Sequence, residues 1–323
     1  MRAIVTGCAG FIGSHLTERL LADGHEVVGI DAFTSYYERS AKDENLAPMA
    51  GARRFALVEA DVATADLDRL MSGADAVFHL AAQPGVRASF GDGFHDYVHD
   101  NIVATQRVLE AAIAVDCGRV VMASSSSVYG DAETYPCIEH VTPMQPRSPY
   151  GVSKRTCEDL ANVYRSERLQ VVALRFFTVY GPRQRPDMAF RRLCEAACGG
   201  PVFELYGDGS QSRDFTHVDD VVDAVMRCAF VERAPTIVNV GGGHEASMAE
   251  VITELEDLVG ERIPMERFDV QRGDVRRTAA DTTVARTRLG WTPVVDLRTG
   301  LATELDWVRA RVARRSLLSA GMA

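Results

Sequence analysis

The first half of the chain alternates short, nearly unbroken apolar runs with longer stretches in which apolar residues recur every three or four positions. AIVT (3–6), EVVGI (26–30), FALVEA (55–60), AVFHL (76–80), RVVMAS (119–124) and VVALRF (171–176) read as strands. Their continuous apolar character is that of strands buried on both faces, as in a parallel sheet covered by helices. Between them, FIGSHLTERLLADG places Ile12, Leu16 and Leu20 on one helical face and stops at Gly24. NIVATQRVLEAAIAV (101–115) and the stretch following Tyr150 show the same spacing. Repeated strand and helix units predict an α/β fold built on a doubly wound parallel sheet. After about residue 178 the pattern loosens through GPRQRP and CGGP, and residues 242–298 add only short elements, so a smaller second region is expected beside the sheet.

Composition narrows the partners. With 323 residues the chain has room for a substantial core in one large or two modest domains. Its formal charge of -10 is spread through interspersed acids and bases with no basic run, which argues against a nucleic-acid backbone or an anionic membrane as partner. The opening MRAIVTG lacks the features of a signal peptide and no apolar run reaches the length of a bilayer span, so a cytoplasmic location is expected. The seven cysteines show no CxxC spacing, which fits reduced, buried thiols rather than disulfides or a metal site.

Chemistry first shows at TGCAGFIG, where Gly7, Gly10 and Gly13 follow the first strand and open the first helix around Phe11 and Ile12. Glycines there allow a tight turn and the close approach of a pyrophosphate, while free amides at the helix start attract its charge. The second strand ends at Asp31, placed to accept hydrogen bonds from an adenosine ribose and to repel a 2′-phosphate. NAD is therefore expected over NADP. In ADV (60–62), Asp61 and Val62 are expected to border the adenine; Leu80, Ala81, Ala82 and Gln83 of HLAAQ end a further strand where the cofactor should lie.

Two more features demand polar company. YGVSK sets Tyr150 and Lys154 four residues apart, on one face of a helix. Only two of the 35 basic residues are lysines, Lys42 and Lys154. An ammonium lowers the pKa of a neighbouring phenol and binds ribose hydroxyls, which a planar guanidinium does differently. The run Ser124 to Ser127 places four hydroxyls where a buried strand should be ending. An unpartnered hydroxyl in an apolar interior costs roughly 2 kcal/mol or more, so the four should meet a ligand or a turn.

Taken in order, TGxxGFIGSH, HLAAQ, SSSSVYGD, YxxxK, RFFTVYGPRQRPDMAF, RDFTHVDD and GDVRRTAAD resemble the extended short-chain dehydrogenase/reductase family, specifically its nucleotide-sugar epimerases and dehydratases, over essentially the whole chain. The resemblance implies an NAD-binding Rossmann domain at 1–177 plus about 214–241, and a nucleotide-sugar region at 178–213 and 242–323. It also implies a homodimer packed through the helix starting near Asn101 and the helix after Tyr150. Ser125, Tyr150 and Lys154 would form the catalytic group, with Ser126 and Ser127 close to the sugar ring or its C5 substituent. Asn101 resembles the family's supporting asparagine; a helix N-cap is the other reading.

Within the family the resemblance is closest to UDP-glucuronate 4-epimerases, through ASSSSVYG, FFTVYGPxxRPDMA and QxGDV. UDP-glucose 4-epimerases usually carry asparagine at Thr178. A hexuronate carboxylate needs donors, which Ser126, Ser127, Thr178 and Arg185 would supply, unless Arg185 instead caps a helix or pairs with Asp187. UDP-glucuronate decarboxylases resemble the chain less, since they typically carry an acid where Ser127 stands; dehydratases usually show a DE pair at Ser126 and Ser127. For the nucleotide, UDP or dTDP, the resemblance brings Arg213 to the diphosphate or base, Asp274 to the ribose and Arg277 to the phosphates. Gln271 stands where many relatives have an arginine and Arg272 follows it, so which residue reaches the diphosphate stays open. A catalytically silent NAD-binding redox sensor is the non-enzyme alternative.

Overall fold

Each of the six apolar runs forms a strand whose ends fall within one residue of the expected bounds: β1 (Arg2–Thr6), β2 (Glu26–Asp31), β3 (Phe55–Glu59), β4 (Ala76–His79), β5 (Arg119–Ser125) and β6 (Gln170–Phe176). A computed structural model of the chain describes residues 1–320; the last three positions of the expected nucleotide-sugar region lie outside the described residues. The remaining strands are β7 (Thr178–Tyr180), β8 (Phe203–Tyr206), β9 (Ser212–His217), β10 (Ile237–Val240), β11 (Glu245–Ser247) and β12 (Met265–Phe268). The helices are α1 (Phe11–Ala22), α2 (Arg39–Leu46), α3 (Leu67–Leu70), α4 (Phe94–Tyr97), α5 (Ala104–Ala114), α6 (Pro149–Tyr164), α7 (Ala189–Ala197), α8 (Val218–Phe230), α9 (Met248–Val259), α10 (Thr283–Leu289) and α11 (Leu297–Ala320).

Seven strands make one sheet in the order β10-β6-β5-β4-β1-β2-β3, every neighbouring pair parallel. This is the Rossmann arrangement. Successive side chains on a strand point to opposite faces, so the sheet feeds two apolar layers. Val5, Phe78, Val121 and Val172 pack with Leu16 and Leu20 of α1 and Val221 and Val225 of α8. Their neighbours Ile4, Val77, Val120 and Val171 pack with Val108 and Leu109 of α5 and Cys157 and Ala161 of α6. A third cluster joins α7, α9 and α11 to the small sheet β11-β9-β7. No described helix is long and apolar enough to cross a membrane.

One expectation changes. Ala56, Leu57 and Glu59 of β3 are exposed, because β3 is an edge strand rather than one buried on both faces. Residues 214–217 form part of β9 in the small sheet. α10 and the fully buried Trp291 pack on the large-sheet layer, where the Trp291 indole donates to the Asp220 carbonyl of α8.

Candidate active site

The chain leaves β1 to one side of the sheet and returns through β4 on the other, so a crevice opens at the strands' carboxyl ends between them. Gly7 turns there with φ +72°, and a Cβ on it would stand 2.7 Å from the Ala81 amide nitrogen. A Cβ on Gly13 would collide with the Gly7 carbonyl, so α1 can meet β1 this closely only as glycine. This cradle fits a pyrophosphate. Asp31, nearly fully buried, accepts from the Ala9 amide at 3.1 Å, the Phe33 amide at 2.9 Å and the Lys42 ammonium at 2.8 Å. Asp61 accepts from the Ala63 amide and lies 2.8 Å from His99 Nε2, a contact that holds His99 above its usual pKa.

Gly7, Gly10, Phe11, Ile12, Gly13, Asp31, Asp61, Val62, Leu80, Ala81, Ala82 and Gln83 line one cavity, together with Ser125, Ser126, Ser127, Tyr150, Lys154, Thr178 and Arg185. Asn101 is absent from that wall. It is not an N-cap either, because α4 continues into α5 through a π-helical stretch, Val98–Val103, that contains it. π-Segments in helices are frequent at functional sites. The buried Asn101 amide accepts from the Gln83 amide at 2.7 Å and donates to the Gln83 carbonyl and to Ser153 Oγ. It thus ties a cofactor-side loop to α6 from behind.

Ser148 caps α6 by accepting from the Gly151 amide, and Pro149 sits at the first helical position, where its missing N–H costs nothing. Tyr150 then falls in the first turn and Lys154 one turn on. The buried Lys154 ammonium donates to the Ala123 carbonyl of β5 at 2.9 Å. Tyr97 stands edge-on to Tyr150, ring centroids 6.0 Å apart.

The four serines divide their work. Ser124 donates to Glu158 of α6 at 2.5 Å, and Glu158 is gripped by both arms of Arg175 on β6, each side chain only 1% exposed. Arg175 reaches on to the Tyr129 hydroxyl. Ser125 Oγ accepts from the Ser127 amide at 3.1 Å and so shapes the turn, while its own proton stays free to donate. Ser126 and Ser127 are half-buried in the cavity wall.

On the far wall, Thr178 begins β7, and the loop after it is anchored by Glu304 of α11, which accepts from the Gly181 amide at 2.9 Å. Arg185 reaches the cavity, but its guanidinium forks onto Asp187 at 3.0 and 2.9 Å. A second cavity adjoins the first, lined by Ser126, Ser127, Thr178, Arg147, Arg213 and Asp274 among others. Arg213 donates to the Ser212 and Arg276 carbonyls and, among the described residues, has no ion-pair partner; burial pulls its pKa below the usual arginine range. Asp274 pairs with Arg87 at 2.9 Å. Arg277 is not brought to either wall, since Glu245 holds it in an exposed two-armed pair. Gln271 and Arg272 are also outside both walls, Arg272 stacking on Phe90. Lys42 and Tyr36 line the first cavity and Arg147 the second; sequence reasoning assigned none of them a site role, since their spacings carry no motif.

A doubly wound sheet, a glycine cradle at its crevice and a Ser-Tyr-Lys wall define a dinucleotide-dependent enzyme of the Rossmann class. The model of the NAD dependent epimerase/dehydratase family matches residues 3–241. A Bacillus subtilis protein described as an uncharacterized UDP-glucose epimerase, YtcB, is 43% identical over 95% of this chain and 98% of its own length. Bacillus cereus UDP-glucuronic acid 4-epimerase, solved with UDP-glucuronic acid and NAD, superposes with TM-score 0.92 at 38% identity, covering 96% of this chain and 99% of that one. MoeE5, solved with NAD and either UDP-glucose or UDP-glucuronic acid, is 41% identical; in the UDP-glucose complex the TM-score is 0.88, with 97% of this chain and 100% of that one covered. The chain belongs to the NAD dependent epimerase/dehydratase family and is an NAD-dependent nucleotide-sugar 4-epimerase.

Proposed function

We propose that the enzyme interconverts the C4 epimers of a UDP-hexuronate, UDP-glucuronate and UDP-galacturonate. One observation carries this reading: Ser126, Ser127, Thr178 and Arg185 share a cavity wall with Tyr150. Three hydroxyls and a guanidinium suit a C5 carboxylate through charge-assisted hydrogen bonds, a donor set that an uncharged hydroxymethyl does not need. The similarity to the Bacillus cereus enzyme supports it.

In this reading Tyr150 is the general base that takes the proton from the sugar 4-hydroxyl. Lys154, held by the Ala123 carbonyl, sets a positive charge one helical turn from it. Ser125, whose oxygen already accepts from the Ser127 amide, donates to the reacting C4 oxygen. The cofactor, cradled by Gly7, Gly10 and Gly13, supplies the reversible removal of hydrogen with its electron pair from C4. The 4-keto sugar must turn over before C4 is reduced from its other face. It is also a β-keto acid, so Ser126, Ser127 and Thr178 must hold the carboxylate against loss as carbon dioxide. Arg213, which has no ion-pair partner among the described residues, holds the diphosphate, with Arg147 and Asp274 beside it.

A second reading, a neutral UDP-hexose substrate, is favoured by one contact: the Arg185 charge is already matched by Asp187. Incubation with NAD and either UDP-glucuronate or UDP-glucose, followed by mass spectrometry and proton NMR, separates the readings. Unchanged mass with an inverted C4 proton from UDP-glucuronate supports the first. Faster turnover of UDP-glucose supports the second, and a product lighter by carbon dioxide overturns both.

The reading includes a homodimer through α5 and α6, whose outer faces leave Ile113, Val152 and Val163 exposed. A monomeric mass in solution overturns that part. A cytoplasmic location goes with seven unpaired thiols.

A further inference from the structure

The strands β2 and β3 end side by side, and their register sets Asp31 directly opposite Glu59. The helix that follows β2 presents two cations to these two acids. Lys42 lies 2.8 Å from Asp31, with side chains only 9% and 5% exposed. Arg39, one turn earlier on α2, forks onto Glu59 at 2.7 Å through both nitrogens, in the open. Both cations flank the Phe33 ring, Arg39 at 4.2 Å and Lys42 at 5.6 Å from its centre. Lys42 and Asp31 also line the cofactor cavity, at the carboxyl end of β2 where a bound dinucleotide's adenosine ribose belongs. Among the described residues the Lys42 ammonium has one hydrogen-bond partner, Asp31, which leaves two N–H groups for whatever enters.

A rim that rejects a 2′-phosphate needs only an acid and no cations at all. This one holds two cations, each covered by a carboxylate. We infer that the preference for NAD over NADP is set by masking: Lys42, and Arg39 beside it, are ready-made 2′-phosphate ligands that Asp31 and Glu59 keep engaged. Lys42 is thereby a specificity-determining residue, and its effect reverses sign with the charge at position 31. With Asp31 ionised, the ammonium anchors the carboxylate that repels phosphate. Without that charge, the same ammonium turns its donors to the phosphate, which carries close to two negative charges at neutral pH.

The test needs no sugar nucleotide and no turnover, so it is independent of the substrate reading. The full chain, stripped of bound nucleotide, is titrated by calorimetry with 5′-AMP and with 2′,5′-ADP, which differ only in the 2′-phosphate. Asp31→Asn is expected to shift the affinity ratio towards 2′,5′-ADP by about tenfold or more, and adding Lys42→Met to abolish most of that shift. If the double variant keeps the full shift, the gain is relief of repulsion alone and Lys42 has no part in it; if Asp31→Asn shifts nothing, masking is wrong. Should Asp31→Asn fail to fold, the exposed pair carries the same cycle: Glu59→Gln is expected to favour 2′,5′-ADP about threefold, and Arg39→Met to remove that gain. The absence of a shift there overturns the inference.

Discussion

Tyr150 is placed by its immediate neighbours. Its position in the first turn of α6 follows from the Ser148 cap and Pro149, and its ring packs edge-on against Tyr97, so Tyr150→Phe removes one hydroxyl without disturbing the packing. Removal of a general base costs roughly 100- to 10,000-fold in rate. The expected outcome is a kcat about a thousandfold lower at unchanged melting temperature, read in the NMR epimerisation assay. Arg185 differs, because its charge is engaged by Asp187 at 2.9 Å. If the substrate is a uronate, the two carboxylates compete for one guanidinium. Asp187→Asn is then expected to lower KM for UDP-glucuronate several-fold and leave KM for UDP-glucose unchanged, in parallel steady-state measurements.

At the scale of elements, the site is held by joints that none of its ligand-facing residues reveals. Glu158 lies one helical turn beyond Lys154, and its carboxylate joins α6 to β5 through Ser124 and to β6 through Arg175. Truncating one member of a buried ion pair costs about 3–5 kcal/mol, because it strands the other charge away from water. Glu158→Gln should therefore lower stability by about 3 kcal/mol, and Ser124→Ala, which loses one hydrogen bond, by about 1 kcal/mol, in urea unfolding. Asn101 makes a similar joint between the Gln83 loop and α6. The periodic pattern of residues 101–115 located its helix but not the π-segment, whose extra residue per turn depends on the partners that Asn101 finds in the folded chain.

For the molecule as a whole, buried acids and histidines set opposing pH slopes. Burial pushes Glu304 up to about 8 and Asp214 up to about 6. Burial pushes His15 down to about 4 and His79 down to about 3. Below about 6.5 the unfolded chain takes up histidine protons that the folded one refuses, so these histidines cost stability as pH falls. Above about 4.5 the unfolded chain has released the Glu304 proton that the folded one retains, so this residue costs stability as pH rises towards 8. Near pH 6.5 the half-protonated unfolded histidines still offset Glu304; above about pH 7.5 they are almost fully neutral and the Glu304 slope dominates this group, at roughly 1 kcal/mol per pH unit. Glu304→Gln keeps the acceptor for the Gly181 amide. It should be more stable than the parent at pH 8, with a flatter profile of melting temperature from about pH 7.5 to 8.5.

Local patterns were enough for the sheet strands, the glycine turn, the Asp31 strand end and the Tyr150–Lys154 helix face, because each depends on residues a few positions apart along one backbone. The six apolar runs show this, all becoming neighbours in one sheet. Partnerships over long separations were decided only by the tertiary structure. Ser124 looks the same as Ser126 in the sequence, yet Ser124 still lies within β5, where Glu158 engages it, and Ser126 lies past the strand's end. Arg277 looks as available to a phosphate as Arg213, yet Glu245 claims it. Lys42 meets Asp31 only because the turn around Phe33 folds α2 back over the end of β2, and charge pairing is settled by such proximity, not by spacing along the chain.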